Sequence, residues 1–493
     1  MNTDYQIGIV GAGFGGLATA IKLQHVGKNS FIIFERASEV GGTWRDNTYP
    51  GCACDVPSHL YSFSFEPNSN WSRSYSGQGE ILNYLKECVQ KNDLKKKIRF
   101  GSEIKAAEFD EKNVLWKLTD QNGYSCTVKY LISATGPLNR PNKPSFKGID
   151  SFKGKIFHSA EWDHSYDLSS KKVAVIGTGA SAIQIVPSIA PLVSSLHVFQ
   201  RSAAWVLPRR DRYFSSIEKI LFRHFPAFRL LYREFYYWLN EFFGRQFVGS
   251  KFMNKVATML GKKHIKNVVK DPETARKLTP DYTIGCKRVL VCDDYLPAFN
   301  RNNVRLVTDT IEEIVEEGLR LVSGTTISAD ALIFSTGFIA AEVGDMAMMY
   351  RFIGLNNRNL LQEWTETGPS AYKGITISGY PNLFLILGPN TGLGHNSVVH
   401  MMESQLNYIF DFIDQSEKLG KKQFYDTKPS AQEHYNAQIQ EELKHTVWAS
   451  GCKSWYVDSS GRNTTLWPKL TVSYRKETRL MDLNAYDIKE SKE

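Results

Sequence analysis

The stretch QIGIVGAGFGG (residues 6–16) decides the fold of this chain. A segment typical of a buried strand, 6–10, runs into the glycine pattern GxGxxG, and apolar residues at helical spacing follow from Leu17. Strand, glycine turn and helix in this order open a βαβ unit that binds a dinucleotide. The first glycine makes the tight turn, the second lets a pyrophosphate approach the backbone, and the third lets helix and strand touch.

The same unit occurs a second time, much later in the chain. KVAVIGTGASA (residues 172–182) repeats the strand and the turn, with Ala182 as the small third residue, and a helical pattern follows at 183–189. One such turn is weak evidence, whereas two in the same context are strong. The predicted fold class is therefore α/β, with two doubly wound, Rossmann-like dinucleotide-binding domains and, as shown below, a helical insertion.

The ends of the second strands distinguish the two nucleotide sites. Glu35 lies 19 residues after Gly16, where a carboxylate accepts hydrogen bonds from ribose hydroxyls and repels a 2′-phosphate, which suits FAD or NAD. Arg201 lies 19 residues after Ala182, and a guanidinium there favours a 2′-phosphate and hence NADPH. The alternative for Arg201 is a solvated residue at a strand end.

Composition excludes several classes of protein. Of the 493 residues, 42% are hydrophobic and 23% are charged, which is ordinary for a globular protein and unlike a disordered or fibrous one. The net charge of +9 is mild for this length and fits an anionic cofactor as well as nucleic acid. Because the longest Lys/Arg run is 95–97, we expect no nucleic-acid partner.

The cysteines and the termini point to the cytoplasm. The seven cysteines are sparse and form no CxxC pair, so we expect reduced thiols. The histidines form no metal-binding cluster, and we expect no metal site. No apolar run approaches the length of a transmembrane helix. Because no basic region or cleavage site precedes the first strand pattern, we expect no signal peptide. The predicted location is therefore cytoplasmic.

The chain is expected to cross twice between the domains. The segments 130–136 and 330–337 both end in Thr-Gly after a strand pattern, and a proline-rich linker follows at 137–144. The predicted division is 1–150 for the first part of the FAD-binding domain, 151–208 for the first part of the NADP-binding domain, 209–285 for a helical insertion, 286–338 for the second part of the NADP-binding domain and 339–493 for the second part of the FAD-binding domain.

The insertion is crowded with aromatic residues between Tyr213 and Phe243, with Arg and Lys interspersed. Buried aromatic faces are the common case, so we expect a helical subdomain that packs its own core. The alternatives are a substrate-access lid and a weak peripheral contact with a membrane surface.

Three further stretches share the pattern of one family. FKGKIFHSAEWD (152–163) fits FxGxxxHxxxW followed by Asp, and GGTWRDNTYPGCACD (41–55) and GCKR (285–288) agree with it. Together with the glycine turns they resemble type I Baeyer–Villiger monooxygenases, from about residue 6 to about residue 456. The flavin monooxygenases that oxidise nitrogen and sulfur are similar but carry tyrosine where this chain has Trp162.

The resemblance implies a reaction. NADPH reduces FAD, O₂ gives a C4a-peroxyflavin, and its anion attacks a ketone to give an ester or lactone. Such an anion needs a fixed positive charge and exclusion of water. The resemblance gives this role to Arg288, oriented by Asp55; the alternative is a plain structural ion pair. The segment after Tyr456 and the loop 388–396 depart from the better-known cyclic-ketone enzymes, so the substrate range is not implied.

The resemblance also assigns residues to the cofactors. Lys287 is expected to hold the 2′-phosphate and Trp455 to reach the nicotinamide, with a core aromatic as the alternative for Trp455. His158 is interpreted as a hinge or packing residue rather than a general base. The predicted catalytic residues are Arg288 and Asp55. The predicted cofactor-binding residues are Gly11, Gly13, Phe14, Gly16, Glu35, Thr43, Trp44, Asp55, Tyr61, Gly177, Thr178, Gly179, Ser181, Gln184, Arg201, Ser202, Lys287, Arg288 and Trp455.

Three functions stay open at this point. The first is a ketone-oxygenating flavoenzyme, and the second is an N- or S-oxygenating flavin monooxygenase. The third is a flavoprotein that oxidises NADPH without coupling and releases hydrogen peroxide. The expected partners are FAD, NADPH, O₂ and a small ketone or sulfide, and a monomer is the favoured oligomeric state.

Overall fold

The computed structural model describes residues 3–339, 350–420, 422–452, 454–458 and 460–491. Its strands are, in chain order, β1 (Tyr5–Val10), β2 (Phe31–Phe34), β3 (Ile98–Arg99), β4 (Ile104–Asp110), β5 (Leu115–Asp120), β6 (Ser125–Ser133), β7 (Lys155–His158), β8 (Lys172–Ile176), β9 (Ser195–Phe199), β10 (Val206–Leu207), β11 (Leu290–Val291), β12 (Val304–Val307), β13 (Ile311–Val315), β14 (Gly318–Leu321), β15 (Thr326–Ser328), β16 (Ala331–Phe334), β17 (Arg351–Ile353), β18 (Leu383–Leu385), β19 (Gln423–Thr427) and β20 (Tyr486–Glu490).

The helices alternate with these strands. The α-helices are α1 (Phe14–His25), α2 (Thr43–Asp46), α3 (Gln78–Lys91), α4 (Ala182–Ile189), α5 (Ser216–His224), α6 (Pro226–Gly244), α7 (Lys251–Val268), α8 (Pro272–Leu278), α9 (Tyr295–Ala298), α10 (Leu360–Thr367), α11 (Val398–Ser416), α12 (Pro429–Leu443) and α13 (Thr471–Glu477). Short 3₁₀ turns occupy Leu94–Lys97, Ile149–Ser151, Ser159–Glu161, Leu355–Asn357, Val447–Ala449 and Leu483–Ala485.

Two parallel-cored sheets carry the two glycine turns. The first has eight strands in the order β17-β4-β5-β6-β1-β2-β3, with β18 beside β6, and β1 runs parallel to β2 and β6. The second is fully parallel, in the order β12-β9-β8-β16-β7. The α/β class with two strand–turn–helix units is confirmed. Strands β17 and β18 return to the first sheet from the C-terminal part of the chain, while the residue boundaries of the domains stay a prediction.

The glycines of the first turn are required by close backbone approach. Gly11 has a φ of +104°, and a Cβ there would lie 2.6 Å from the carbonyl oxygen of Ala134. A Cβ on Gly16 would overlap the carbonyl oxygen of Gly11, so α1 and β1 touch only because the third glycine has no side chain.

The Thr-Gly repeat has the same cause in both sheets. In the second turn, Gly177 has a φ of +114°, and a Cβ there would overlap the carbonyl oxygen of Ser335. Ala134 and Ser335 each immediately precede a Thr-Gly pair. The end of one strand therefore packs against the first glycine of the neighbouring turn, which explains why 130–136 and 330–337 look alike.

The insertion is helical, as expected, and comprises α5 to α8. Its helix α6 is anchored to the rest of the chain by Glu241, whose carboxylate is buried. Asn396 Nδ2 donates to Glu241 Oε1 at 2.8 Å, His395 Nε2 lies 3.1 Å from the same oxygen, and the Thr471 hydroxyl donates to it. Burial disfavours the charge, but these partners outweigh it and lower the pKa of Glu241 to about 2.

The expectation that the insertion buries its aromatic residues in its own core is wrong in part. Phe222 and Tyr237 are buried, but thirteen large apolar side chains between Tyr213 and Leu260 are exposed. The reason is that α6 turns its polar residues, among them Glu241, toward the rest of the protein. Its apolar residues are left on the solvent side.

The expectation of seven reduced thiols is also wrong. Cys286 and Cys452 form a disulfide, with Cα atoms 6.2 Å apart and a sequence separation of 166 residues. The remaining cysteines are Cys52, Cys54, Cys88, Cys126 and Cys292. Sequence spacing gave no sign of the pair, because only the packed chain brings the two sulfur atoms together.

We expect the Cys452→Ser variant to lose about 2–4 kcal/mol of unfolding free energy, since the cross-link closes a long loop in the unfolded chain. Urea unfolding with and without dithiothreitol measures this loss. The reductant should destabilise the natural chain and leave Cys452→Ser unchanged. Titration of the unfolded, unreduced protein should find five thiols rather than seven. A count of seven would contradict the disulfide.

Candidate active site

A deep cleft opens at the carboxyl ends of β1, β2 and β6. It encloses about 1360 Å³, including its open mouth. Its walls come from the first glycine turn, the segment around the GGTW pattern and the crossing after β6. Among the predicted cofactor residues, Gly11, Gly13, Phe14, Glu35, Thr43, Trp44 and Tyr61 line it.

Glu35 lies at the floor of this cleft and is only 4% exposed. Its carboxylate accepts hydrogen bonds from the backbone N–H groups of Ala12 at 2.8 Å and Ala37 at 3.0 Å. Arg45 Nη1 donates to it at 2.9 Å. No sequence pattern singled out Arg45, although it immediately follows the GGTW pattern. The arginine fixes the carboxylate and leaves its remaining acceptor sites for ribose hydroxyls.

The middle glycine of each turn faces open space. A Cβ on Gly13 would have no neighbour closer than 3.7 Å, and one on Gly179 would have none within 4 Å. Neither position has a positive φ, so protein packing alone does not demand glycine there. An approaching pyrophosphate does demand it, since its oxygens bind backbone N–H groups at the start of α1 and α4.

This distinction gives a prediction within one turn. Gly179→Ala should leave the thermal midpoint of the protein unchanged and raise the KM for NADPH about 10- to 100-fold, the equivalent of one lost hydrogen bond to a charged group. Gly177→Ala should lower the free energy of unfolding by about 1–3 kcal/mol, because alanine is strained at that φ. Calorimetry and steady-state kinetics separate the two effects. Equal destabilisation by both variants would contradict the assignment of Gly179.

A cationic cluster follows the second turn. Lys287 Nζ donates to the Ser202 hydroxyl at 3.0 Å, and the Thr178 hydroxyl donates to the Ser202 carbonyl at 3.1 Å. Burial lowers the pKa of Lys287, and repulsion by the nearby Arg201 guanidinium lowers it further. Attraction by Asp281 offsets part of this repulsion. Two cations held close together are suited to bind a phosphate.

The Gln184 side chain bridges two segments of the protein. Its side-chain amide is engaged by the protein: Tyr49 OH donates to Oε1 at 3.0 Å, and Nε2 donates to the Ala53 carbonyl at 2.9 Å. Gly51 packs against the same helix, α4. Gln184 therefore joins the 49–55 loop to the second nucleotide domain, and Ser181 lies at the start of that helix.

Asp55 and Arg288 form an ion pair across 233 residues of sequence, with Nη2 donating to Oδ2 at 2.6 Å. Burial disfavours the Asp55 charge, but the Arg288 cation outweighs it, so the pKa of Asp55 lies below its usual value. Attraction by Asp55 raises the pKa of Arg288 further. The Arg288 side chain is 40% exposed and the Asp55 side chain 30% exposed. The pair is thus charged at neutral pH and partly accessible.

Aromatic residues surround this pair. Tyr61, a wall of the first cleft, interacts electrostatically with both members, and Trp44 Nε1 donates to its hydroxyl at 3.1 Å. Tyr456 is buried beside the pair, and burial raises its pKa to about 12, so it stays neutral. The ion pair therefore stands next to the first cleft, and Arg288 directly follows the Lys287 of the second site.

Trp455 is partly exposed, whereas His158 is buried. Trp455 is 44% exposed and contacts Tyr456 with ring centroids 4.5 Å apart, so it is not a core aromatic. The Cys286–Cys452 disulfide joins its loop to the segment that carries Arg288. His158 is buried at the end of β7 and packs against Phe338, and burial lowers its pKa. This arrangement agrees with a packing role.

Comparisons with known proteins agree with this geometry. Residues 4–342 match the flavin-binding monooxygenase-like family model. A Baeyer–Villiger monooxygenase of Streptomyces coelicolor is 46% identical over 486 residues, covering 98% of this chain and 92% of its own length. A Baeyer–Villiger monooxygenase of Pseudomonas aeruginosa is 45% identical, covering 98% and 91%. The solved structure of OTEMO in complex with FAD and NADP superposes with a TM-score of 0.86 at 28% identity, covering 99% of this chain and 100% of that one.

Proposed function

The chain belongs to the flavin-binding monooxygenase-like family, and from this premise we propose that it is a Baeyer–Villiger monooxygenase. It takes FAD in the first cleft and NADPH at the second turn, and it inserts one atom of O₂ beside a ketone carbonyl to give an ester or lactone. In balance, ketone, O₂, NADPH and one proton give the ester, NADP⁺ and water. The Asp55–Arg288 pair beside both nucleotide sites carries this proposal.

The residues of the first cleft fit FAD. Glu35, held by Arg45, accepts from the ribose hydroxyls, and Gly13 leaves the room that a pyrophosphate requires. Trp44 and Tyr61 present aromatic surface and a fixed hydroxyl further along the cleft. When bound, FAD supplies the two-electron chemistry that lets O₂ react.

The second site fits NADPH by its charge. Lys287 and Arg201 lie close enough to repel one another, and Ser202 positions the ammonium. A 2′-phosphate placed between them relieves that repulsion, whereas NADH offers no group that would. This difference is the basis of the proposed preference for NADPH.

Arg288 serves the reaction as a fixed cation. Its guanidinium stays protonated at every working pH, so it stabilises an anionic oxygen without giving up its own proton. Asp55 is a positioning residue: its carboxylate holds one edge of the guanidinium and leaves the rest directed at a ligand. Partly buried Tyr61 and buried Tyr456 keep their protons and place apolar surface around the charge, which limits access of water.

Product analysis tests the proposal. The FAD-loaded protein is incubated with NADPH, air and a panel of linear, cyclic and aryl ketones plus one sulfide, and products are identified by mass spectrometry. Esters or lactones that carry one ¹⁸O atom from ¹⁸O₂ are the expected result. Oxidation of the sulfide alone would favour an N- or S-oxygenating enzyme. Hydrogen peroxide as the sole product, across the whole panel, would favour an uncoupled oxidase.

A further inference from the structure

Exposed apolar side chains are concentrated in one short part of the molecule. Of the 22 large apolar side chains exposed in the described ranges, thirteen lie between residues 213 and 260. Monomeric proteins rarely leave a large apolar patch uncovered unless it binds something. Helices α5, α6 and α7 carry most of these residues, and we call the exposed residues of the three helices together the insertion surface.

Helix α6 exposes its apolar face and turns its charged residues toward the protein. Leu231, Phe235, Trp238 and Phe242, spaced four, three and four residues apart, lie on one face and are 50–69% exposed. The charged residues lie on the other side: Arg233 donates to backbone carbonyls of 59–62, and Glu241 is buried. An ordinary surface helix shows the opposite pattern. The apolar stripe is therefore directed away from the protein by the buried charges.

Helix α7 mixes apolar and cationic residues on its exposed face. Phe252 is 77% exposed and Met259 61% exposed, and Lys255 and Lys263 lie on the same face by their spacing. The opposite face is buried through Asn254 and Ile265. Lysines beside apolar groups keep their ammonium groups in water while their stems cover apolar surface.

The net charge of the chain is also concentrated here. Residues 213–268 contain ten Lys or Arg and three Asp or Glu, a net charge of +7, against +9 for the whole chain. Two of those acids, Glu218 and Glu241, are already engaged by Arg212 and by the His395–Asn396 pair. The segment that carries the insertion surface is thus rich in exposed apolar residues and strongly positive.

We propose that the insertion surface docks on an anionic lipid bilayer, with the α6 stripe in the interfacial layer and the α7 lysines near the headgroups. In the described ranges, no helix is long and apolar enough to cross a membrane, so the contact is interfacial. Each Lys or Arg near such a surface adds attraction, and each buried ring adds apolar transfer. Two copies of this chain would instead oppose two positive surfaces, which disfavours self-association through it.

Vesicle sedimentation of the FAD-loaded protein tests the proposal, using phosphatidylglycerol–phosphatidylcholine vesicles against pure phosphatidylcholine at low salt. The natural chain should bind the anionic vesicles and should dissociate from them when the salt concentration is raised. Phe235→Ser/Trp238→Ser should reduce the bound-to-free ratio at least about tenfold, because two apolar contacts are lost. Lys255→Glu/Lys263→Glu should also reduce the bound-to-free ratio at least about tenfold, because two attractive charges become repulsive. The matched controls are Val322→Ser, another exposed apolar residue, and Lys95→Glu/Lys96→Glu.

Two further measurements decide whether a lipid bilayer or a second copy of the chain covers the insertion surface. Brominated lipid should quench the tryptophan fluorescence of the natural chain more than that of the Trp238→Phe variant. The Trp238→Phe variant should still bind the vesicles. Light scattering without vesicles should give the mass of one chain. A mass of two chains that falls to one in Phe235→Ser/Trp238→Ser would assign the surface to a second copy and overturn the proposal. Absence of binding to anionic vesicles, or equal loss in the control variants, would also overturn it. These outcomes do not depend on the proposed oxygenation.

Discussion

The Arg288→Ala variant should lose ester formation by at least about 10²–10³-fold, the cost of removing a single preorganised group that stabilises developing negative charge. NADPH oxidation should continue, because the other residues proposed to hold FAD and NADPH are still present. The oxygen that is reduced should then appear as hydrogen peroxide. Parallel assays of ester, NADPH consumption and peroxide measure the redistribution directly.

The control for Arg288 is Arg276→Ala, which removes an exposed surface arginine that pairs with Glu273. It should leave coupling unchanged. Asp55→Asn should give an intermediate loss, since it frees the guanidinium to rotate without removing its charge. An Arg288→Ala enzyme that still couples NADPH oxidation to ester formation would contradict the role proposed for Arg288.

The charge state of this pair sets its pH dependence. The pKa of Asp55 is lowered, so the stability it contributes is present above the usual carboxyl pKa and is lost only as pH falls through the lower folded value. The pKa of Arg288 is raised, so its cation persists through alkaline pH. The coupled reaction should therefore show no titration of either group across the neutral range. A coupling ratio that follows a single ionisation near neutrality would argue against the pair.

Replacing Lys287 and Arg201 by alanine should shift the cofactor preference. Each cation contributes a charge-assisted hydrogen bond worth about 1.5–3 kcal/mol, so each single variant should raise the KM for NADPH about 10- to 100-fold. The rate constant kcat/KM for NADH should hardly change, because NADH has no phosphate for these groups to bind. Steady-state kinetics with both nucleotides give the ratio.

The matched control is Lys153→Ala, an exposed lysine of the same region that pairs with Glu316. It should alter neither constant. A parallel rise in KM for NADPH and NADH in the Lys287 and Arg201 variants would show that these residues bind some other part of the nucleotide. In that event Arg201 returns to the solvated strand-end residue considered above.

Local patterns predicted the nucleotide-binding framework. The second strand expected before Glu35 is β2, and both glycine turns lead into helices. Hydrophobic periodicity and the need for glycine at tight backbone contacts are both features of neighbouring residues. The resemblance to Baeyer–Villiger monooxygenases is confirmed by relatives at 45–46% identity. The roles of individual site residues stay predictions, which the variants above test.

Distant contacts were outside the reach of those patterns. Arg45 as the partner of Glu35, Gln184 as a bridge to the 49–55 loop and the Cys286–Cys452 disulfide depend on segments far apart in sequence or on side-chain direction. Spacing along the chain carries no record of such neighbours. The contact between Asp55 and Arg288 was expected only because their motifs resemble those of a known family.

The sequence by itself determined two dinucleotide-binding units, since each rests on a short run with a local physical requirement. The reaction class was implied by the resemblance to Baeyer–Villiger monooxygenases. The tertiary structure alone decided which face of α6 is covered. Periodicity shows that the helix has two faces, but the buried partners of Glu241 and Arg233 determine which one turns inward. Turning the helix over would separate these charges from their buried partners, which costs free energy. The aromatic stripe of α6 therefore stays in solvent.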